Sequence, residues 1–284
     1  MLTKILSIFV ICILMGSSGC AVQMKSTSTP ANPLESGTSV PPVLKPVKLI
    51  TVLAAASLTE PFNEIGRLFE QQNPGTRVVF SSAGSQQLVQ QLTEGAPGDI
   101  FASANYQYME DAVASNRVAQ GSASVFAQNR LVVIFPKNNP ARISSLQDLA
   151  TPGIKLDLAD KVVPVGRYSL DFLDKATQDT QFPPGFAEDV LKNVVSYEEN
   201  VKAVLTKVTL GEVDAGIVYT SDIAGRAAGQ VGSLAIPDAL NVIAAYPIAP
   251  ISDSANPVLA KAFIDLVLSK TGQDILAKYG FTKG

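Results

Sequence analysis

From Val47 onward, short β-rich runs alternate with helical patterns, and this rhythm restricts the fold more than any other property of the chain. Val47 to Leu53 reads as a strand. Leu58 to Gln72 reads as a helix with Phe62, Ile65, Leu68 and Phe69 on one face, stopped by Asn73-Pro74-Gly75. Thr76 to Ser81, Asp99 to Ser103 and Arg130 to Pro136 read as strands, with helices at Ser85 to Glu94 and Tyr106 to Ser115 between them. The rhythm continues through a short helix at Ser144 to Leu149, strands at Ile154 to Leu158, Val194 to Ser196 and Ala215 to Tyr219, and helices at Tyr168 to Ala176, Gly185 to Asn193 and Val201 to Leu210. Thr220-Ser221-Asp222 is a further helix-start signal, and Pro257 to Leu268 and Gly272 to Lys278 are amphipathic helices. The pattern predicts an α/β fold with a mostly parallel sheet. There is no internal repeat, and no glycine spacing of the Rossmann or P-loop kind, so a nucleotide cofactor is not expected.

Composition removes several function classes. At 284 residues and 46% hydrophobic, the chain can bury a substantial core without staples. A net charge of −3 leaves no basic stripe to neutralise phosphates, which argues against a nucleic-acid partner. Histidine is absent, and with it Ser-His-Asp and Cys-His catalysis and His-ligated zinc. A secreted serine-lysine hydrolase remains as the enzymatic alternative, but no serine motif with a spaced lysine supports it, and no catalysis is expected.

The N-terminus reads as a targeting segment. Lys4 gives a positive start, Ile5 to Met15 is an apolar region too short to span a membrane as a mature helix, and Gly16-Ser17-Ser18-Gly19-Cys20 is a small-residue cleavage region. Residues 1–20 are therefore expected to be a signal peptide. Cys20 after Gly19 resembles a bacterial lipobox, although Ser17 stands where leucine is usual, and ordinary secretory cleavage is the alternative. Cys12 would leave with the signal, so the mature domain would have no disulfide. Residues 21–46 are rich in Ser, Thr and Pro and are expected to be a disordered tether between a lipid anchor at Cys20 and a domain that starts near Val47. The expected location is the periplasm or the outer face of the cell membrane.

Within the domain, Ala54-Ala55-Ala56-Ser57-Leu58-Thr59 follows a strand and opens a helix. Small residues admit a close backbone approach, and a helix start presents unpaired N–H groups, so Ser57 could belong to an anion pocket. Equally, Ser57-Leu58-Thr59-Glu60 fits a capping box, which would make Ser57 only a helix cap. Ser85, before Gln86-Gln87-Leu88, poses the same choice.

These residues carry a resemblance. Ala54-Ala55-Ala56-Ser57-Leu58-Thr59, Gly95-Ala96-Pro97-Gly98-Asp99-Ile100-Phe101-Ala102-Ser103-Ala104, Val163-Pro164-Val165-Gly166, Gly216-Ile217-Val218-Tyr219-Thr220-Ser221-Asp222 and Tyr279-Gly280-Phe281 occur in an order and spacing similar to the molybdate-binding proteins of bacterial ABC-type molybdate importers. The resemblance covers roughly Val47 to Lys283. It implies a type II periplasmic binding-protein fold with two α/β lobes, 47–128 plus 243–284 and 129–242, around a hinged ligand cleft that closes on its ligand.

It also implies an oxyanion held without counter-charges. Ser57 and Ser85 would give hydroxyls and N–H groups, Val165 and Val201 their N–H groups, and Tyr219 its phenol. Taken alone, Val165 and Val201 read as core residues and Tyr219 as a half-buried aromatic. The implied ligand is molybdate or tungstate, which are too alike in size to separate, and no cofactor is implied. The implied partners are the permease and ATPase of the importer, with the receptor acting as a monomer. A sulfate, thiosulfate or phosphate receptor on the same fold is the alternative within this class, and a surface adhesion lipoprotein is one outside it.

Overall fold

The computed structural model describes residues 47–284. The expected signal peptide, lipid anchor at Cys20 and tether over 21–46 lie outside the described residues.

The chain opens with strand β1 (Lys48–Ala55), a single 3-10 turn at Ala56–Leu58 and helix α1 (Thr59–Gln72), followed by β2 (Thr76–Ala83), α2 (Ser85–Thr93), β3 (Ile100–Ala102) and α3 (Tyr106–Ala114). The long strand β4 (Ser124–Pro136) leads into β5 (Leu156–Ala159), α4 (Pro164–Gln178), α5 (Phe186–Lys192), β6 (Val194–Glu198), α6 (Val201–Leu210) and β7 (Ala215–Tyr219). Strands β8 (Val231–Ala235) and β9 (Ile243–Pro250), helices α7 (Pro257–Leu268) and α8 (Lys270–Lys278), and the short β10 (Thr282–Lys283) complete it.

The sheet path runs β2-β1-β3-β9-β4-β7-β5-β6, with β8 and β10 also on β4. Only four of its pairs are parallel: β1 with β2 and β3, and β5 with β6 and β7. Strand β9 is antiparallel to both β3 and β4, and β7, β8 and β10 are antiparallel to β4. The expectation of a mostly parallel sheet is thus corrected to a mixed one. Alternating βα segments set the local order, but they do not say where a late strand inserts, and β9 returns to the centre from far along the chain.

Strand β4 serves two sheets. Ser124 to Arg130 pairs with β9, whereas Leu131 to Ile134 pairs with β7 and Val132 to Pro136 with β8. Its run Leu131, Val132, Val133, Ile134 is buried throughout, as expected for a strand covered on both faces. Around β1, the aromatic rings of Phe62, Phe80, Phe126 and Phe263 pack at centroid distances of 5.7 to 6.1 Å from Phe62, and they fill the space under α1 and α7. On the other sheet, Phe172 and Leu173 of α4 and Phe186 and Val190 of α5 are fully buried.

The helices begin where the strands end. The turn after β1 leads to α1, Gly84 alone separates β2 from α2, and Glu199 and Asn200 alone separate β6 from α6. Helix α4 starts at Pro164, four residues earlier than the sequence pattern suggested, because proline at the first helical position costs no hydrogen bond and presets φ.

Candidate functional site

The strand ends and helix starts converge on a small cavity of about 20 Å³, far below the roughly 300–1,000 Å³ that suits drug-sized ligands. One wall is Ala55, Ala56 and Ser57 together with Ala83, Gly84, Ser85 and Ala104; the other is Val163, Pro164, Val165, Asn200, Val201 and Tyr219. All five residues singled out from the sequence line it. None of the lining residues carries a charge.

Ser57 is 4% exposed, and its hydroxyl lies 2.9 Å from Tyr246 Oη. It does not cap α1: the cap positions of the 3-10 turn and of α1 are Ala55 and Leu58, and neither shows a side-chain cap bond. The capping-box alternative is therefore replaced by a long-range bond to a strand residue 189 positions away. Ser85 is likewise not the cap. Gly84 takes that position, and Ser85 Oγ accepts the backbone N–H of Ala104 at 3.0 Å.

Opposite them, Asn200 caps α6 with one oxygen, accepting the N–H groups of Lys202 and Ala203 at 3.0 and 3.1 Å. The first-turn amide it leaves untouched is that of Val201. In α4, Arg167 N–H bonds the Val163 carbonyl and Pro164 has no N–H. This puts the Val165 amide in a first turn that has no partner within the helix. Both valine side chains are buried, at 1% and 4% exposure, so the core reading of Val165 and Val201 also holds. Side chain and backbone do different jobs at the same residue.

Tyr219 ends β7 and is 1% exposed, more deeply buried than the half-buried aromatic the sequence suggested. Tyr219 lines the cavity, and its hydroxyl has no hydrogen-bond partner among the described residues. Burial raises its pKa well above the ordinary phenol range, with Tyr246, Tyr168 and Asp222 acting in the same direction, so it stays a neutral donor. Asp222 accepts the Tyr219 N–H at 3.0 Å and lies 3.0 Å from Lys202 Nζ, so the lysine nearest the cavity already has a buried counter-charge.

The arrangement can hold a small tetrahedral anion by donors alone. Four helix or turn starts aim N–H groups and positive dipole ends at one place, and three hydroxyls join them. The two walls also touch beside the cavity: Gln86 Nε2 donates to the Glu199 carbonyl at 2.8 Å, Gln87 Nε2 to the Glu199 carboxylate at 3.0 Å, and Tyr108 Oη to the Val162 carbonyl. Gly84 permits this approach, since a Cβ there would lie 2.6 Å from the Glu199 carbonyl oxygen. A larger surface groove, lined in part by Arg67, Lys202, Arg226 and Lys278, lies beside the site, but Lys202 and Lys278 are held by Asp222 and Glu64.

Sequence reasoning missed Tyr246 and Asn129. Both are buried, Tyr246 on β9 against Ser57 and Asn129 on β4 behind Tyr246, and neither sits in a motif.

Comparison with known proteins agrees with this geometry. Residues 50–282 match the family described as bacterial extracellular solute-binding protein. The chain is 37% identical over 256 residues to the molybdate-binding protein ModA of Mycobacterium tuberculosis, covering 90% of this chain and 89% of that one. It is 31% identical over 240 residues to ModA of Escherichia coli, covering 82% and 88%. Among solved structures, the substrate-binding domain of a putative molybdenum ABC transporter from Clostridium difficile superposes with a TM-score of 0.62 at 27% identity, covering 83% of this chain and 99% of that one. The Azotobacter vinelandii periplasmic molybdate-binding protein, at TM-score 0.71 and 18% identity over 83% and 99% of the two chains, shares the two-lobe fold. The chain belongs to the bacterial extracellular solute-binding protein family and, within it, to the group of the molybdate-binding ModA proteins.

Proposed function

We propose that this protein captures molybdate, and tungstate with it, outside the cytoplasm and delivers the ion to the permease and ATPase of an ABC importer. The observation that carries the reading is the hydroxyl of Tyr219, buried and without a partner among the described residues, on a residue that lines a cavity of neutral side chains. A buried polar atom left unsatisfied costs roughly 1–3 kcal/mol, which an incoming acceptor oxygen would recover. Ser57 and Ser85 from one wall, and Val165, Val201 and Tyr219 from the other, would then hold one oxyanion between them. Neutral donors select by size and geometry, whereas a bare guanidinium would attract any anion. The family is one of solute-binding proteins rather than enzymes.

The lobe division 47–128 plus 243–284 against 129–242 is part of this reading, and the change of partners along β4 near Arg130 supports it. Anchoring through Cys20 and action as a monomer complete it. The test is a thermal-shift screen of the purified protein against molybdate, tungstate, sulfate, phosphate and nitrate. At a ligand concentration of about a hundredfold over Kd, binding adds roughly 2.7 kcal/mol, or about 5–10 °C in Tm for a domain of this size. Molybdate and tungstate should give that shift and the other three little or none. Ser57→Ala and Ser85→Ala should each shrink it. A shift with sulfate and none with molybdate would move the protein to the sulfate-receptor class.

A further inference from the structure

The hydroxyl of Ser57 is not free to choose its role. Behind it stand Tyr246, Asn129 and the backbone of β4, none of which reaches the cavity. Asn129 Oδ1 accepts the Arg130 backbone N–H at 3.0 Å and the Thr220 hydroxyl at 3.0 Å. A backbone N–H can only donate, so the amide oxygen must face it and the NH2 group must face the other way. Nδ2 donates to Ser221 Oγ at 2.7 Å and turns its second hydrogen toward Tyr246 Oη at 3.5 Å. Tyr246 meets a donor on that side, so it offers a lone pair there and points its proton at Ser57 Oγ, 2.9 Å away. The phenol is also the stronger acid of the two hydroxyls, which favours the same direction. Burial raises the Tyr246 pKa far above the ordinary phenol range, so the proton stays on it.

We propose that Asn129 and Tyr246 are positioning, specificity-determining residues: they commit the Ser57 hydroxyl to donate into the cavity, and thereby make it select a tetrahedral oxyanion without a proton over one that carries a proton. The inference rests on the oxyanion reading given above and deepens it. At Ser85 the same commitment comes from the backbone, because the Ala104 N–H occupies its oxygen and leaves its proton for the cavity. Tyr219 has a proton and no other partner to receive it. All three hydroxyls therefore present hydrogens. An anion that brought its own O–H would bury a donor facing donors, an arrangement in which neither is satisfied. The relay runs across strands distant in sequence, with Ser57 after β1, Asn129 in β4 and Tyr246 in β9.

The decisive measurement compares sulfate with phosphate. The two are close in size, but at about pH 8 phosphate is a dianion that keeps one proton while sulfate has none. Both are titrated calorimetrically against the purified protein, alone and in competition with molybdate. Tyr246→Phe keeps the ring that packs edge-on against Phe281 and Phe126 at 5.3 and 6.3 Å, and removes only the hydroxyl. It should weaken molybdate about tenfold and raise the phosphate-to-sulfate affinity ratio about tenfold, because Ser57 can then turn and accept. In a Ser57→Ala background the same substitution should leave the ratio unchanged. A merely structural role for Tyr246 would weaken all anions alike and would act with or without Ser57.

An unchanged ratio in Tyr246→Phe, or an equal change in the Ser57→Ala background, overturns the relay. A second measurement needs no variant. Proton NMR of the wild-type protein should show a slowly exchanging Tyr246 hydroxyl proton with a cross-peak to the Ser57 β protons, and a rapidly exchanging hydroxyl there overturns the relay as well. If the wild type binds none of the three anions, the function proposed above falls and the relay with it. Wild-type molybdate binding with no effect of Tyr246→Phe on the ratio defeats the relay alone.

Discussion

Gly166→Ala should destabilise the protein by about 3 kcal/mol or more and abolish high-affinity oxyanion binding together with it. The reason is steric and local. A Cβ at this position would sit 2.1 Å from the Asp160 carbonyl oxygen and 2.3 Å from that of Ala159, and both are backbone atoms that no rotamer change can move aside. The first turn of α4 lies directly on the exit of β5, and Gly166 is the residue that lets it do so. Restoring a tolerable distance means lifting the helix start, which carries the Val165 amide away from the cavity. Thermal unfolding should show Tm lower by roughly 6–12 °C for a domain of this size, and calorimetry should show molybdate binding lost at concentrations that saturate the wild type. A variant that melts with the wild type and binds equally well would mean that α4 is not held against β5 as described.

The second large effect concerns Asp157. It lies in β5, fully buried, with both carboxylate oxygens lacking hydrogen-bond partners among the described residues. Burial, and then the negative charge of Glu198, push its pKa up to about 7, with Lys207 opposing. Glu198 takes the opposite course: burial would raise it, but the Lys207 ammonium and the Ser196 hydroxyl outweigh that and lower it. Because the Asp157 value is raised on folding, the native state holds a proton that the unfolded chain has already lost over the intervening range. Its contribution is fully present at low pH and disappears as the pH rises to about 7, with no further loss above that. The expected cost between about pH 5 and pH 8 is about 2–3 kcal/mol. In Asp157→Asn this component of the pH profile should vanish, so the difference in unfolding free energy between variant and wild type should change by that amount across the window. Parallel profiles for the two proteins, from urea unfolding at each pH, would show that the carboxyl is ionised throughout.

How far these features could be read in the sequence differs from element to element. Helices α6 and α7 and strand β7 have the bounds the sequence indicated, the helices because a start signal and an apolar face specify them locally and β7 because it is a short continuous apolar run, buried at every position. Strand β9 gave no such signal. It contains Pro247 and Pro250, which ordinarily argue against a central strand, yet it lies between β3 and β4. The structure accommodates Pro247 where the register with β4 is irregular, opposite Val125, and its carbonyl still accepts the Ser103 N–H. No local rule would have placed it there. Strand β8 and the first half of β4 were missed for a related reason, since their partners come from remote parts of the chain. At the site, the five cavity-lining residues were reached through the family resemblance; from the sequence alone Ser57 and Ser85 read equally well as helix caps, and Val165, Val201 and Tyr219 as core or half-buried residues. Tyr246 and Asn129 were not reached, because a buried tyrosine and a buried asparagine in mid-strand look like ordinary core and turn residues until the strands are paired.

The place of β9 has a consequence for the order in which the protein can be completed. A chain that has emerged only as far as Asn241 contains β1, β2 and β3, but the strand that covers the open edge of β3 has not yet been made. Helices α7 and α8, which close over the same sheet, come later still. The half of the molecule that begins first is therefore finished last, and Ser57 has no Tyr246 to bond with until the final forty or so residues arrive. Nascent chains of this protein should stay protease-sensitive in their first eighty folded-domain residues almost until synthesis ends, a state well suited to being threaded through a membrane before that half can lock.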